Sequence, residues 1–130
     1  MFKIETGNKM TIINGDTAWF DIHVEGYTFV EGDMVTFTVA ESKNYTMTII
    51  SKSIILGSDN LDEDGDIKGC FNDDGSCTFF LQPKDTAKRI GTYVYDIQLN
   101  LVDGRIDTII GPSQFTVQQG VTHKKTTIRR

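Results

Sequence analysis

The stretch Gly91-Thr92-Tyr93-Val94-Tyr95-Asp96-Ile97-Gln98-Leu99-Asn100-Leu101, followed by Val102-Asp103-Gly104-Arg105 and Ile106-Asp107-Thr108-Ile109-Ile110, decides the fold class. Tyr93, Tyr95, Ile97, Leu99 and Leu101 share one face of an extended strand, with Val94, Asp96, Gln98 and Asn100 on the other. A period of two over this length describes a strand with one face in a core and one facing out. Asp103-Gly104 is a strong hairpin signal, because both central positions of a type I′ turn need φ > 0. A two-residue loop there pairs Leu101 with Ile106, Leu99 with Thr108 and Ile97 with Ile110, which keeps apolar residues on one face. Gly111-Pro112 then predicts a bulge or kink before Phe115-Thr116-Val117 resumes the strand.

Similar short strands extend back to the start of the chain. Phe2–Glu5 alternates, and Met10 to Ile13 forms a strand before the Asn14-Gly15-Asp16 turn. Ala18, Phe20, Ile22 and Val24 then face inward against Trp19, Asp21, His23 and Glu25. After the turn Glu31-Gly32-Asp33, Val35, Phe37 and Val39 point inward, and Tyr45, Met47 and Ile49 continue as another strand, with Ser53–Leu56 extending it or bending into a new one. Cys70 to Leu81 reads as a hairpin around Asn72-Asp73-Asp74-Gly75. Pro83 to Arg89 is the single helical candidate, one or two turns long, with Pro in the first turn. Composition agrees: 15 Ile, 8 Val and 16 Thr stand against three Ala in 130 residues, and branched side chains favour pleated surfaces over helices. The expectation is an all-β sandwich of about eight strands with one helical turn near residues 83–89, a single domain over 1–120 followed by a basic C-terminal tail over 121–130. A small barrel is the structural alternative.

Charge divides into two poles. Seven acids and one base lie between Ser58 and Cys77, whereas Lys124, Lys125, Arg129 and Arg130 close the chain without an acid. Such blocks read as solvated segments; the functional alternative is that the basic tail docks on an acidic neighbour. The net charge of −5 argues against nucleic acid as a partner. No apolar run approaches a membrane span, and no secretory signal precedes the first strand.

Catalytic chemistry finds little material. His23 and His123 are the histidines, and no nucleophile elbow, phosphate loop or dinucleotide fingerprint accompanies them. The expectation is a chain that is not an enzyme and carries no cofactor. Cys70 and Cys77 face each other across a four-residue loop, or part if the loop closes at Asp74-Gly75; as two thiols they are too few for a structural zinc site. Asn60, Asp62 and Asp64 before Gly65 have the alternating short oxygen ligands of a calcium loop, but position twelve is Phe71, where that pattern needs a bidentate Glu. They are weak metal candidates, and a solvated acidic loop is the favoured reading. Trp19, outward on its strand, is a candidate interface anchor, as are Lys124, Lys125, Arg129 and Arg130.

Several segments, taken in order, resemble one family. Gly15-Asp16-Thr17-Ala18, Glu31-Gly32-Asp33-Met34-Val35-Thr36-Phe37-Thr38-Val39, Leu81-Gln82-Pro83-Lys84-Asp85-Thr86, Gly91–Leu99, Asp103-Gly104 and Gln114–Val117 together resemble the immunoglobulin-like N-terminal domain of phage upper baseplate proteins, as a stand-alone member. The resemblance spans residues 4–120. It implies an immunoglobulin-like sandwich and a bacteriophage virion structural protein of the tail or baseplate, an adaptor or accessory module made in the host bacterial cytoplasm. Its implied partners are other virion proteins in a homo-oligomer or symmetric assembly, with no nucleic acid and no membrane. Two alternatives remain: a capsid decoration or head-fibre attachment protein of the same fold, and a calcium- or carbohydrate-binding adhesin using Trp19 and the acidic loop.

Overall fold

Alternation becomes two sheets packed face to face. The computed structural model describes residues 3–4 and 9–121. Its strands are β1 (Lys3–Ile4), β2 (Met10–Ile13), β3 (Ala18–Ile22), β4 (Met34–Glu41), β5 (Asn44–Ile55), β6 (Gly69–Phe71), β7 (Cys77–Leu81), β8 (Gly91–Asn100) and β9 (Ile106–Gln118), with helix α1 (Pro83–Thr86) between β7 and β8. One sheet has the order β1-β2-β9-β8-β4-β5 and the other β3-β7-β6. All pairings are antiparallel except β2 with β9, which run parallel with Met10 beside Phe115 and Ile12 beside Val117. The chain is thus an all-β, immunoglobulin-like sandwich with one short helical turn.

The inward rows supply the core. Ile12, Val35, Phe37, Val39, Ile54, Phe79, Leu81, Ile97, Phe115 and Val117 have no exposed surface. Antibody domains join strands B and F by a disulfide packed on a Trp from strand C. Here the strands in those places, β3, β8 and β4, contribute Phe20, Tyr95 and Phe37. The Phe37 ring lies 5.0 Å from Phe20, 5.9 Å from Phe79, 5.8 Å from Tyr95 and 6.1 Å from Phe115. Aromatic packing replaces the covalent pin.

Two connections depart from the expected register. Leu101 N–H donates to the Arg105 carbonyl and Asn100 pairs with Ile106, so the β8–β9 turn is the three-residue loop Val102-Asp103-Gly104, with Gly104 at φ +95°. A left-handed third residue is what such a loop requires. The pairing is one residue out until a shift between Ile97 and Gln98 brings Ile97 opposite Ile110, as expected. Gly111-Pro112 forms the predicted bulge, opposite Asp96. In the Cys70–Leu81 hairpin, Cys70 pairs with Thr78 and Cys77 with Phe71, a register between the two considered. Both cysteines are free. Gly69 is needed for close approach there, since a Cβ would lie 2.3 Å from the Thr78 carbonyl oxygen.

Polar side chains tie the ends together. Asp33 is fully buried; its carboxylate accepts from Tyr27 Oη at 2.7 Å, Val30 N at 2.8 Å and Val102 N at 2.9 Å, and its carbonyl accepts from Leu56 N. Asp85 caps α1 by accepting from Gln82 N at 2.7 Å, and its carboxylate meets the Lys52 ammonium, 5% exposed, at 2.7 Å.

Candidate functional site

The acidic loop between β5 and β6 does not arrange the residues that its spacing suggests. Asn60, at φ +55°, turns back to the sheet: Oδ1 accepts from Ile55 N at 2.8 Å, and Nδ2 donates to the carbonyls of Ile55 and Ser58. It covers the end of edge strand β5 in the manner of a further strand and leaves the candidate ligand set. Asp66 takes its place, so that carboxylate oxygens of Asp62, Asp64 and Asp66 all lie within 4.8 Å of one another. Asp62 Oδ1 also accepts from the backbone N–H groups of Asp64 and Asp66.

A side chain of the same protein already occupies this cluster. Lys84 Nζ, from α1, lies 2.8 Å from Asp62, 2.5 Å from Asp64 and 3.4 Å from Asp66. Its hydrogen bond pulls the Asp62 carboxyl down to about 2, while the Asp62 and Asp64 carboxylates push the Lys84 ammonium well above its usual value. The loop is an acidic cradle holding an ammonium from its own chain.

The small sheet turns Trp19 outward, 58% exposed, opposite Phe80. Beside them, Thr78 Oγ1 donates to Asp21 at 2.5 Å and accepts from Asn72 Nδ2 at 2.9 Å. Asn72 Nδ2 also reaches Ser76 Oγ, whose hydroxyl donates to Asp74. These bonds satisfy one another. Among the described residues no nucleophile is bonded to His23, and burial pushes the Cys77 thiol up to about 12. Lys124, Lys125, Arg129 and Arg130 lie outside the described residues.

The outer face of the six-stranded sheet is different in kind. Register places across it the rows Ile55–Met34–Asn100–Ile106, Ser53–Thr36–Gln98–Thr108, Ser51–Thr38–Asp96 and Thr48–Ala40–Val94–Gln114. Asp96 is the single charged side chain in these rows. The bulge that leaves Tyr45, Thr46 and Met47 without partners on β4 and the Gly111-Pro112 bulge of β9 frame a cleft of about 70 Å³, lined by Thr38, Ala40, Tyr45, Val94, Asp96 and Pro112. Burial raises the Asp96 carboxyl above the usual carboxylate range. Sequence reasoning placed Asp96 outward but missed the cleft, because two bulges on different strands build it.

With this geometry in place, comparison with known proteins adds likenesses of shape. No protein-family model matches the chain, and no curated protein matches it. Among solved structures, the chain is similar to CopC from Methylosinus trichosporium OB3b, at 13% identity and a TM-score of 0.36 over 82% of this chain and 99% of that one. It is also similar to murine CRIg, at 16% identity and a TM-score of 0.41 over 92% and 98%. A third likeness is to the extracellular domain of the voltage-gated sodium channel beta4 subunit, at 14% identity and a TM-score of 0.37 over 98% of each chain. The strand order carries the fold assignment independently of these scores.

These findings correct one expectation. None of the three structures is a phage protein, so the terms virion, bacteriophage, baseplate, tail and capsid decoration are withdrawn, and what remains of the resemblance is its immunoglobulin-like sandwich. The physical reason lies in the residues that carried it. Glu31-Gly32-Asp33, Asp103-Gly104 and the alternating Gly91–Leu99 are set here by a turn, a hairpin and a core-facing strand, and any sandwich with this strand order makes those demands.

Proposed function

We propose that the chain is a non-enzymatic recognition module whose contact surface is the outer face of the six-stranded sheet and whose partner is a protein, a second copy of this chain included. One observation carries this reading: in a chain with 24% charged residues, the outward rows of β4, β5 and β8 hold Ser, Thr, Asn, Gln and apolar side chains and the single charge of Asp96. A solvated sheet face normally carries both signs of charge, whereas the core of a protein interface is depleted of them. Four strands, β5, β4, β8 and β9, each at least eight residues long and spaced about 4.8 Å apart, present on the order of 500 Å² of plane, about two-thirds of the roughly 800 Å² that each partner contributes to a standard interface.

A photo-crosslinking residue at Gln98, compared with one at Asp21 on the small sheet, tests the assignment in the cell that makes the protein. Adducts are expected from position 98 and should disappear when Thr36→Arg is added, while position 21 gives none. Equal adducts from both positions, or none from 98, would refute it. Sedimentation of the purified chain separates self-association from a different partner.

A second reading, a carbohydrate-binding adhesin, has the exposed Trp19 beside Asp21, Thr78 and Asn72 in its favour. Trp19 is the chain's single tryptophan, so its fluorescence reports directly. A saturable change on titration with an oligosaccharide would favour this reading.

A further inference from the structure

The cleft on the large sheet has a chemical preference of its own. Asp96 sits in the middle of the sheet opposite Thr38, with Ala40, Val94, Pro112 and Tyr45 around it. Among the described residues no hydrogen bond or ion pair reaches its carboxylate. A carboxylate partly withdrawn from water into apolar surroundings loses hydration that nothing here replaces; its raised carboxyl pKa has burial as its cause, the mark of an uncompensated charge. An incoming cation would supply the compensation, while a neutral or anionic group would not.

The shape narrows the choice. About 70 Å³ is room for roughly two waters, hence for the end of a side chain and not for a free metabolite. Tyr45 offers an aromatic ring, which attracts an ammonium or guanidinium. Ala40, Val94 and Pro112 offer apolar wall to the methylene stem that such side chains bury.

We propose that this cleft receives the end of a lysine or arginine side chain presented by the protein partner, with its stem against Tyr45 and Pro112 and its charge on Asp96. The proposal rests on the reading of this face as a protein interface and names the group that the interface selects. Thr38, paired with Asp96 across the strands, places a hydroxyl in the same lining for a second donor.

The test uses the full chain and two small probes, Nα-acetyl-lysine methylamide and its uncharged isostere Nα-acetyl-norleucine methylamide, followed by amide NMR shifts. The lysine probe should shift Thr38, Ala40, Val94 and Asp96 saturably. Norleucine should bind at least about tenfold more weakly, as should lysine to Asp96→Asn. Tyr45→Ala, on an exposed bulge, should weaken lysine binding without altering the core. Equal binding of both probes, or binding unchanged in Asp96→Asn, overturns the proposal.

Residues 122–130 hold Lys124, Lys125, Arg129 and Arg130 and could themselves supply the cation. If replacing all four by alanine shifts the same amides with no probe added, the occupant belongs to this chain and the partner assignment is overturned. Failure of crosslinking at Gln98 alongside selective lysine binding would remove the interface reading and leave the cleft. Crosslinking at Gln98 without lysine selectivity would do the reverse.

Discussion

Asp33 should be among the most sensitive positions in the molecule. Its side chain is fully buried, and its two oxygens accept three hydrogen bonds that join the segment before β4 (Tyr27, Val30) to the β8–β9 turn (Val102). Hydrogen bonds to a charged group contribute about 1.5–3 kcal/mol each, and stranding buried donors costs their desolvation besides. Asp33→Ala strands the Val30 and Val102 amides together, so a loss of about 3–5 kcal/mol is expected, a large fraction of the roughly 5–15 kcal/mol available to a domain. Asp33→Asn keeps one acceptor oxygen and should lose about half as much. Urea unfolding followed by far-UV circular dichroism measures both, with the midpoint falling and the slope unchanged.

Titration supplies an independent check. Burial works to raise the Asp33 carboxyl, but the bonds from Val30, Tyr27 and Val102 outweigh it and hold it below its usual value of 3.8. A depressed folded-state pKa means that this contribution is complete above the unfolded value and is lost as pH falls through the folded one. The wild type should therefore lose stability below about pH 4 more steeply than Asp33→Asn. The bond to Asp33 also pushes the Tyr27 phenol up to about 12, so ultraviolet titration of the variant should show one tyrosine returned toward 10. A loss under about 1 kcal/mol in Asp33→Ala, or unchanged tyrosine titration in Asp33→Asn, would refute the reasoning.

Three further outcomes are expected. Asp85→Ala leaves the Lys52 ammonium buried without its partner and should cost about 3–5 kcal/mol; adding Lys52→Met should recover more than half, and a double variant as unstable as the single one would show that the pair is not coupled. Native protein at pH 8 should release one equivalent of thiol to a disulfide reagent, from half-buried Cys70, because the Cys77 thiol is buried and pushed up to about 12; two fast equivalents would place Cys77 outside the core. Millimolar calcium should leave the wild-type melting temperature unchanged, because the Lys84 ammonium already occupies the space among the Asp62, Asp64 and Asp66 carboxylates, and a rise of several degrees would show that the ion displaces it.

Much of the fold was legible because alternation specifies which face of a strand is buried, and the inward rows of β3, β4 and β8 follow it. Alternation does not specify loop length. At Asp103-Gly104 the same turn residues serve two- and three-residue loops, and the one-residue error is hidden again by the bulge that restores Ile97 opposite Ile110. Trp19 was legible for the same reason that Phe20 was. Asp33 was read only as a turn residue, since a turn acid and a buried acceptor of three bonds look alike until Tyr27 and Val102 are brought beside it. The acidic loop shows the converse. Spacing marks every second oxygen from Asn60 onward, but the left-handed backbone of Asn60 sends its amide to the sheet, and the cation comes from Lys84, more than a dozen residues downstream in a separate element.

The parallel ladder of β2 on β9 has a consequence in time. Met10 meets Phe115, 105 positions further along the chain, so this closure brings together segments that leave the ribosome well apart. Loop closure over such a span must be met before the contact repays it, which places the chain among slow-folding topologies. During synthesis β2 waits with Met10 and Ile12 uncovered until β9 emerges. The interval is one in which another β-rich nascent chain could take the place of β9, and a chaperone that shields an early segment would matter more here than for a protein that pairs its strands in order.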